Sequence, residues 1–395
     1  MKKAVLLATK LGIGQTIAYG SSFYLTAVLA NPISAEIGIS VSEFFAYLVV
    51  AVLGSAALAP MVGSFIDRLG GRRVLPLSNL IFIVALLVMA SANTPVLLLL
   101  AWLIMGVAMA LGLYDAAFAS VVALHGNKSR QIIAGITLFA GFASSISWPT
   151  TSFFVNEFNW QTSLLFWAAV HLFIALPLHL SIPSVENPQP RVKMRGVVQL
   201  TPLIVVFVVM FGAQSYSIGG MGSTLPLMIE SSGLSTQAAV AAAALMGPAQ
   251  VSSRLLQVLF PKVFTPIIVA ALAFIAHPVG AIGLLVFGSE AVWFFVMLSG
   301  ISMGLFTVAS GTLPLLFFGP KGYGLRQGIL RIGPLIIGAV APLMVATTLA
   351  ISLELTLGIN LVAGVISVLC LFFVITQPRL GSEEQIQTAE VEEEL

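Results

Sequence analysis

The sequence predicts an all-α integral membrane protein, with twelve transmembrane helices in two pseudo-symmetric six-helix halves. Three observations predict it. Apolar residues make up 58% of the 395 and charged residues only 8%, so there is too little polar side chain to cover a surface facing water. Apolar stretches of roughly 20 residues, the length that crosses about 30 Å of hydrocarbon as a helix, recur from end to end. When those stretches alternate in direction, the basic residues all fall on one side.

In chain order the first six spans cover 9 to 32, 43 to 66, 73 to 92, 95 to 123, 131 to 155 and 162 to 182. The second six cover 200 to 229, 236 to 259, 263 to 287, 290 to 318, 325 to 350 and 353 to 376. Runs such as AVLGSAALAPMVG and LLLLAWLIMGVAMALGLY do not alternate, which excludes the short two-residue periodicity of a membrane β-barrel. The opening MKKAVLLATK has the charge of a signal peptide, but its apolar segment runs on to about Pro32 with no small-residue cleavage site. It reads as a retained first span.

With the N-terminus inside, Lys2, Lys3 and Lys10 lie at the cytoplasmic end of span 1, and Arg68, Arg72 and Arg73 fall in the 2/3 loop. Lys128 and Arg130 fall in the 4/5 loop, and Arg191, Lys193 and Arg195 in the 6/7 linker. Lys262, Lys321, Arg326 and Arg379 follow on the same side, and Arg254 and Arg331 sit in the inner halves of spans. None of the 17 basic residues requires an outer loop, whereas Glu36, Glu43, Glu157, Glu230, Glu290 and Glu354 fall near outer ends. The expectation is a multi-pass protein of a bacterial inner (plasma) membrane with both termini in the cytoplasm.

The linker SIPSVENPQPRVKMRG is the longest polar stretch between spans. It divides the chain into a first half, 1 to 182, a linker, 183 to 199, a second half, 200 to 376, and an acidic tail, 377 to 395, that reads as a disordered cytoplasmic end. Duplication shows in weak but concordant matches. QTIAYG begins at Gln15 and QSYSIG at Gln214, while Gly106 is followed 43 residues later by Pro149 and Gly300 is followed 42 later by Pro342. The lone Cys370 excludes an intramolecular disulfide and reads as packing.

The stretch GSFIDRLGGRR, Gly63 to Arg73, concentrates four charges in the 2/3 loop. It resembles the 2/3-loop signature of the major facilitator superfamily, matched at Gly63, Asp67, Arg68, Gly70, Arg72 and Arg73, with Gly71 where many members carry a basic residue. The resemblance extends over residues 1 to 376. It implies a secondary transporter whose halves rock about a central solute site.

The same residues have a physical reading of their own. Gly63 lets helices approach, Gly70 and Gly71 permit a tight reversal, and Asp67 can accept hydrogen bonds from a helix N-terminus or an arginine. Together they form a candidate cytoplasmic gate. The alternative is that the arginines only set topology and contact anionic lipid.

Candidate solute residues are the polar ones inside spans. Arg254 and Arg331 lead, because an arginine within a span costs about 2.5 to 3.5 kcal/mol unless it snorkels or faces a wet cavity. A guanidinium fork suits a carboxylate or phosphate, and snorkelling to the cytoplasm is the competing reading. Basic residues on these two spans resemble those of the oxalate/formate exchanger and monocarboxylate transporter branch, which implies an organic anion. Gln250 stands where monocarboxylate transporters place an aspartate, and their span-1 lysine has no counterpart in GSSFYLTAVL.

Gln15, Tyr19 and Tyr24 of span 1, with Gln214 and Tyr216 of span 7, either line the cavity or tie helices together. Asp115 of span 4 either carries a coupling proton or pairs with Arg130 or Lys10. His171 reads as a packing residue before it reads as a titrating one.

The expected partners are a small solute, a coupling proton or counter-solute and the lipid bilayer. No cofactor, metal or nucleic acid is expected of what reads as a monomer. No phosphate-cradling glycine loop suggests a nucleotide, and His125, His171, His179 and His277 are scattered along the chain in no metal-ligand spacing, against an intramembrane enzyme. Trp102 stands where drug/proton antiporters carry a span-4 arginine, and the span-5 Gly-Pro pattern of exporters is missing. Proton-coupled efflux of a hydrophobic or cationic drug is therefore the second reading.

Overall fold

In hydrocarbon a backbone N–H or C=O must find its partner within its own segment, and a helix meets that condition turn by turn. A computed structural model describes residues 2–185 and 202–379, and the regular structure of these residues is helical throughout. The acidic tail beyond Arg379, and the linker from 186 to 199, lie outside the described residues.

Span 1 comprises α1 (Lys2–Tyr19), a π turn (Gly20–Tyr24) and α2 (Thr26–Ile37). It runs past the expected end, carries Pro32 inside the helix, and stops at Gly38, whose φ of 77° suits a residue without Cβ. Spans 2 and 3 are α3 (Val41–Leu69) and α4 (Gly71–Ala90). The Ser40 hydroxyl caps α3 by accepting from the Glu43 N–H at 3.1 Å.

Span 4 is broken into α5 (Pro95–Gly112) and α6 (Tyr114–His125) by the extended backbone of Leu113. Span 5 is split into α7 (Arg130–Ala140) and α8 (Ala143–Glu157). Span 6 is α9 (Trp160–Val170), a second π turn (His171–Ala175) and α10 (Leu176–Leu180). At the start of α9, Trp160 Nε1 and Gln161 Nε2 both donate to the Glu36 carboxylate, at 2.6 and 2.9 Å.

In the second set, α11 (Pro202–Ser231) forms span 7, and span 8 divides into α12 (Thr236–Ala243) and α13 (Met246–Leu259). Spans 9 to 12 are α14 (Pro266–Phe287), α15 (Val292–Phe318), α16 (Tyr323–Leu349) and α17 (Leu353–Ile375). Eight helical segments among the described residues are apolar and long enough to cross a membrane. Two of them, Pro95–Glu157 and Pro266–Phe318, each contain two of the expected crossings.

The chain forms two compact units: Met1–Val197 with Gly322–Ile329, and Val198–Lys321 with Leu330–Leu395. The first unit therefore includes the opening turns of α16. Equivalent helices pack in both units. The third and sixth crossings pair as α4 with α9 and as α14 with α17, and the second and fourth as α3 with α5 and as α13 with α15.

The paired glycines of the repeat explain the second of these junctions. A methyl group on Gly106 would lie 2.5 Å from the Ala51 carbonyl oxygen, and one on Gly300 would lie 2.6 Å from that of Met246. Only glycine allows the fourth crossing of each set to approach the second that closely.

Candidate solute site and cytoplasmic gate

The first turn of a helix leaves N–H groups without intrahelical acceptors and carries the positive end of the helix dipole. At the start of α16 these groups meet Asp67, from the last turn of α3. Oδ1 accepts from the Gly324 N–H at 2.8 Å and Oδ2 from the Leu325 N–H at 3.0 Å. The carboxylate is half-buried and uses both oxygens on one helix end, a charge-assisted arrangement roughly twice as strong as a neutral one.

The approach depends on glycine. A methyl group on Gly63 would overlap the Gly324 carbonyl, one on Gly324 would lie 2.8 Å from Asp67 Oδ1, and one on Gly328 would lie 2.5 Å from the Ala59 backbone. Gly324 and Gly328 form a G-x-x-x-G pattern in span 11, a close-packing signal that the sequence expectation does not use.

The remaining motif residues divide by role. Gly70 ends α3 with φ of 75°, its N–H bonded to the Ile66 carbonyl at 2.8 Å. A side chain at Gly71 would overlap Ser120, which accounts for the absence of a basic residue there. Arg68, Arg72 and Arg73 are exposed.

Asp115 lies in the first turn of α6, immediately beyond the Leu113 break, and its Oδ1 accepts from Gln327 Nε2 at 3.2 Å. The opening turns of α16 are thus held by one carboxylate through the backbone and by another through a side chain. Lys10 donates to the Ser181 carbonyl at 3.2 Å.

Both candidate glutamines are buried, and their amides join helices of their own unit. Gln15 Nε2 donates at 2.7 Å to the Gly112 carbonyl at the end of α5, where the helix stops. Gln214 Nε2 donates to Ser302 Oγ at 2.8 Å, and Ser302 Oγ donates in turn to the Ala273 carbonyl. One glutamine links crossings 1 and 4, and the other links crossings 7 and 10.

Around the π turn of span 1, Tyr19 lies 4.7 Å from Tyr114 and 5.8 Å from Phe23 between ring centroids. Tyr24 meets Trp148 edge-on at 5.9 Å, and Trp148 Nε1 donates to the Tyr24 carbonyl at 3.1 Å. Tyr114 and Trp148 are additions to the sequence expectation. An aromatic beside a broken helix carries no distinctive spacing.

In the second unit Arg254 is buried on α13. Its Nε donates to the Gly304 carbonyl and its Nη2 to Thr307 Oγ1, both at 3.2 Å and both on α15. Gln250, one turn earlier, directs Nε2 to Met303 Sδ at 3.3 Å. Arg331 on α16 is half-exposed. Tyr216 is buried on α11, and its hydroxyl has no hydrogen-bond partner among the described residues.

The sequence matches the profile of the Major Facilitator Superfamily over residues 11–316. The chain belongs to this superfamily. It is a multi-pass membrane transporter of the secondary type and not an enzyme. No curated protein matches the sequence.

Among solved structures, the major facilitator superfamily proton:xylose symporter XylE, bound to 6-bromo-6-deoxy-D-glucose, superposes with a TM-score of 0.74 at 14% identity, over 97% of this chain and 98% of that one. The human organic anion transporter MFSD10 (TETRAN) does so with a TM-score of 0.68 at 13% identity, over 94% and 98%. At these identities the likeness is one of fold.

Proposed function

We propose that this superfamily member moves a small organic anion, such as a carboxylate, by alternating access, and that Arg254 binds it. The supporting observation is the placement of Arg254. Its guanidinium is buried on α13 rather than laid along a lipid-facing surface, and the acceptors at Gly304 and Thr307 are neutral. They orient a planar fork, the geometry that recognition of a carboxylate uses.

Arg331 supplies a second positive group, and Tyr216 a hydroxyl that a solute oxygen can satisfy. The fold by itself does not select the solute, since XylE is a xylose symporter and MFSD10 an organic anion transporter. The basic pair on spans 8 and 11 favours the oxalate/formate and monocarboxylate branch. In this reading Asp67 latches α16 in the conformation described and releases it in the other, and Asp115 is the coupling candidate, acting where it meets Gln327.

A thermal-shift panel of carboxylates, phosphates, sugars and quaternary ammonium compounds on the purified protein tests the assignment. Stabilisation by a carboxylate that disappears in Arg254→Ala and Arg331→Ala is the expected result. Unchanged carboxylate affinity in both variants overturns it.

One observation favours the second reading, proton-coupled efflux of a hydrophobic or cationic drug. The cluster of Tyr19, Phe23, Tyr24, Tyr114 and Trp148 offers aromatic faces to a cation. Stabilisation by a quaternary ammonium compound that is lost in Tyr19→Ala would favour it over the anion.

A further inference from the structure

Both units contain a second buried polar feature, independent of the arginines and the gate. In the first, Asn79 of α4 donates Nδ2 to the Leu75 carbonyl, one turn back, at 2.9 Å and to His179 Nδ1 at 2.7 Å. A carbonyl can only accept, so Leu75 determines which way the amide points. Asn79 Oδ1 therefore faces His171 Nδ1, at 3.0 Å, and accepts from it. His171 then carries a hydrogen on Nδ1, and its Nε2 meets the Ser21 hydroxyl at 2.7 Å. Ser21 and His171 each lie in a π turn, of span 1 and span 6 respectively.

The second unit builds a related ladder with the two residue types exchanged and the serine supplied by the fourth crossing of its set instead of the first. Asn360 of α17 donates Nδ2 to the Thr356 carbonyl, again one turn back, at 2.9 Å. Its Oδ1 faces His277 Nε2 of α14 at 3.4 Å, a long bond, and His277 Nδ1 takes the Ser299 hydroxyl at 2.9 Å. Asparagine lies on the third crossing and histidine on the sixth in one unit; in the other, histidine lies on the third and asparagine on the sixth. All seven side chains, His179 included, are at most 2% exposed.

Apolar contacts between membrane helices tolerate sliding and rotation, because one aliphatic surface is much like another. A directional bond does not. Slipping a helix by one residue would leave a buried amide and a buried imidazole unpaired.

We propose that these two serine–imidazole–carboxamide ladders are register locks. They are positioning groups that hold the third and sixth crossings of each unit at one rotation and register through the transport cycle. The proposal rests on the alternating-access reading only for its purpose. Its test needs no solute, so it fails or stands apart from the anion assignment.

In a Cys370→Ala background, spin labels at the exposed positions Leu87 and Leu165 report the α4/α9 pair, and labels at Val286 and Leu355 report α14/α17. Each pair should give one narrow distance in the otherwise unaltered chain. Asn79→Leu should broaden the first distance and lower the melting temperature while leaving the second distance narrow; His277→Leu should do the reverse. The exchange variant Asn79→His with His171→Asn places the two residue types on the crossings they occupy in the other unit, keeps a carboxamide facing an imidazole, and should restore the narrow distance. So should His277→Asn with Asn360→His. Should Asn79→Leu not fold, Asn79→Ser is read in the same way. Narrow distances and unchanged melting in the single variants overturn the proposal, as do exchange variants as broad as the singles.

Discussion

Asp67 shows how much one side chain can decide. Its two oxygens hold two backbone N–H groups of α16, and bonds of this charge-assisted kind are worth about 1.5–3 kcal/mol each. Asp67→Asn retains one acceptor and turns an amide N–H toward the other donor. With a reporter cysteine at Leu325 in a Cys370→Ala background, its alkylation should speed up by about tenfold for every 1.4 kcal/mol lost. An unchanged rate would show that the start of α16 is held by other contacts. Arg254 invites a subtler substitution. Arg254→Lys keeps the charge and loses the planar fork, so carboxylate affinity should fall about tenfold or more, read by isothermal titration, even though the net charge is unchanged. Equal affinity would mean that charge alone is recognised.

Among elements, the helix junctions built on glycine are the most sensitive. Gly106→Val and Gly300→Val each press a side chain into a backbone carbonyl that cannot move aside, and overpacking of this kind costs about 1–3 kcal/mol. Melting temperature and folded yield should fall in both, whereas Gly54→Val, with nothing within 4 Å of the added carbon, should be neutral. The broken fourth crossing makes a second prediction. The helix stops at Gly112, and Gln15 satisfies that carbonyl at 2.7 Å, so Gln15→Leu leaves it bare in a dry interior at about 1–3 kcal/mol. A thermal scan at matched detergent concentration reads the loss. Neither the break nor its partner was legible beforehand, since AMALGLYDAA contains no proline and Gln15 has several equivalent positions to reach. The G-x-x-x-G of span 11 was legible in principle, because small residues four apart mark one helix face whatever that face meets.

For the whole molecule, the testable statement is the sidedness of the chain. Cysteines replacing Lys128 and Lys321 should react with an impermeant reagent from the same face of the membrane, the cytoplasmic one, and placement on opposite faces would dismantle the span assignment. The two compact units have equivalent helix pairs, equivalent glycine contacts and equivalent glutamine bonds, yet their histidine–asparagine ladders exchange partners. What recurs is the junction between the third and sixth crossings rather than the residue at a given place. An internal repeat sought by matching residue types therefore passes over it.

Crossing number and membership of the superfamily followed from the sequence by itself, because hydrophobic length and a contiguous loop motif are read along one dimension and need no knowledge of neighbours. The partners of the buried polar groups were decided only in three dimensions. Each residue turns a helix by about 100°, and every π turn or break resets the angle of all that follows. Whether Asn79 meets His171, Gln15 meets Gly112 or Asp115 meets Gln327 thus depends on rotations accumulated along separate helices, which only their packing brings to a common register.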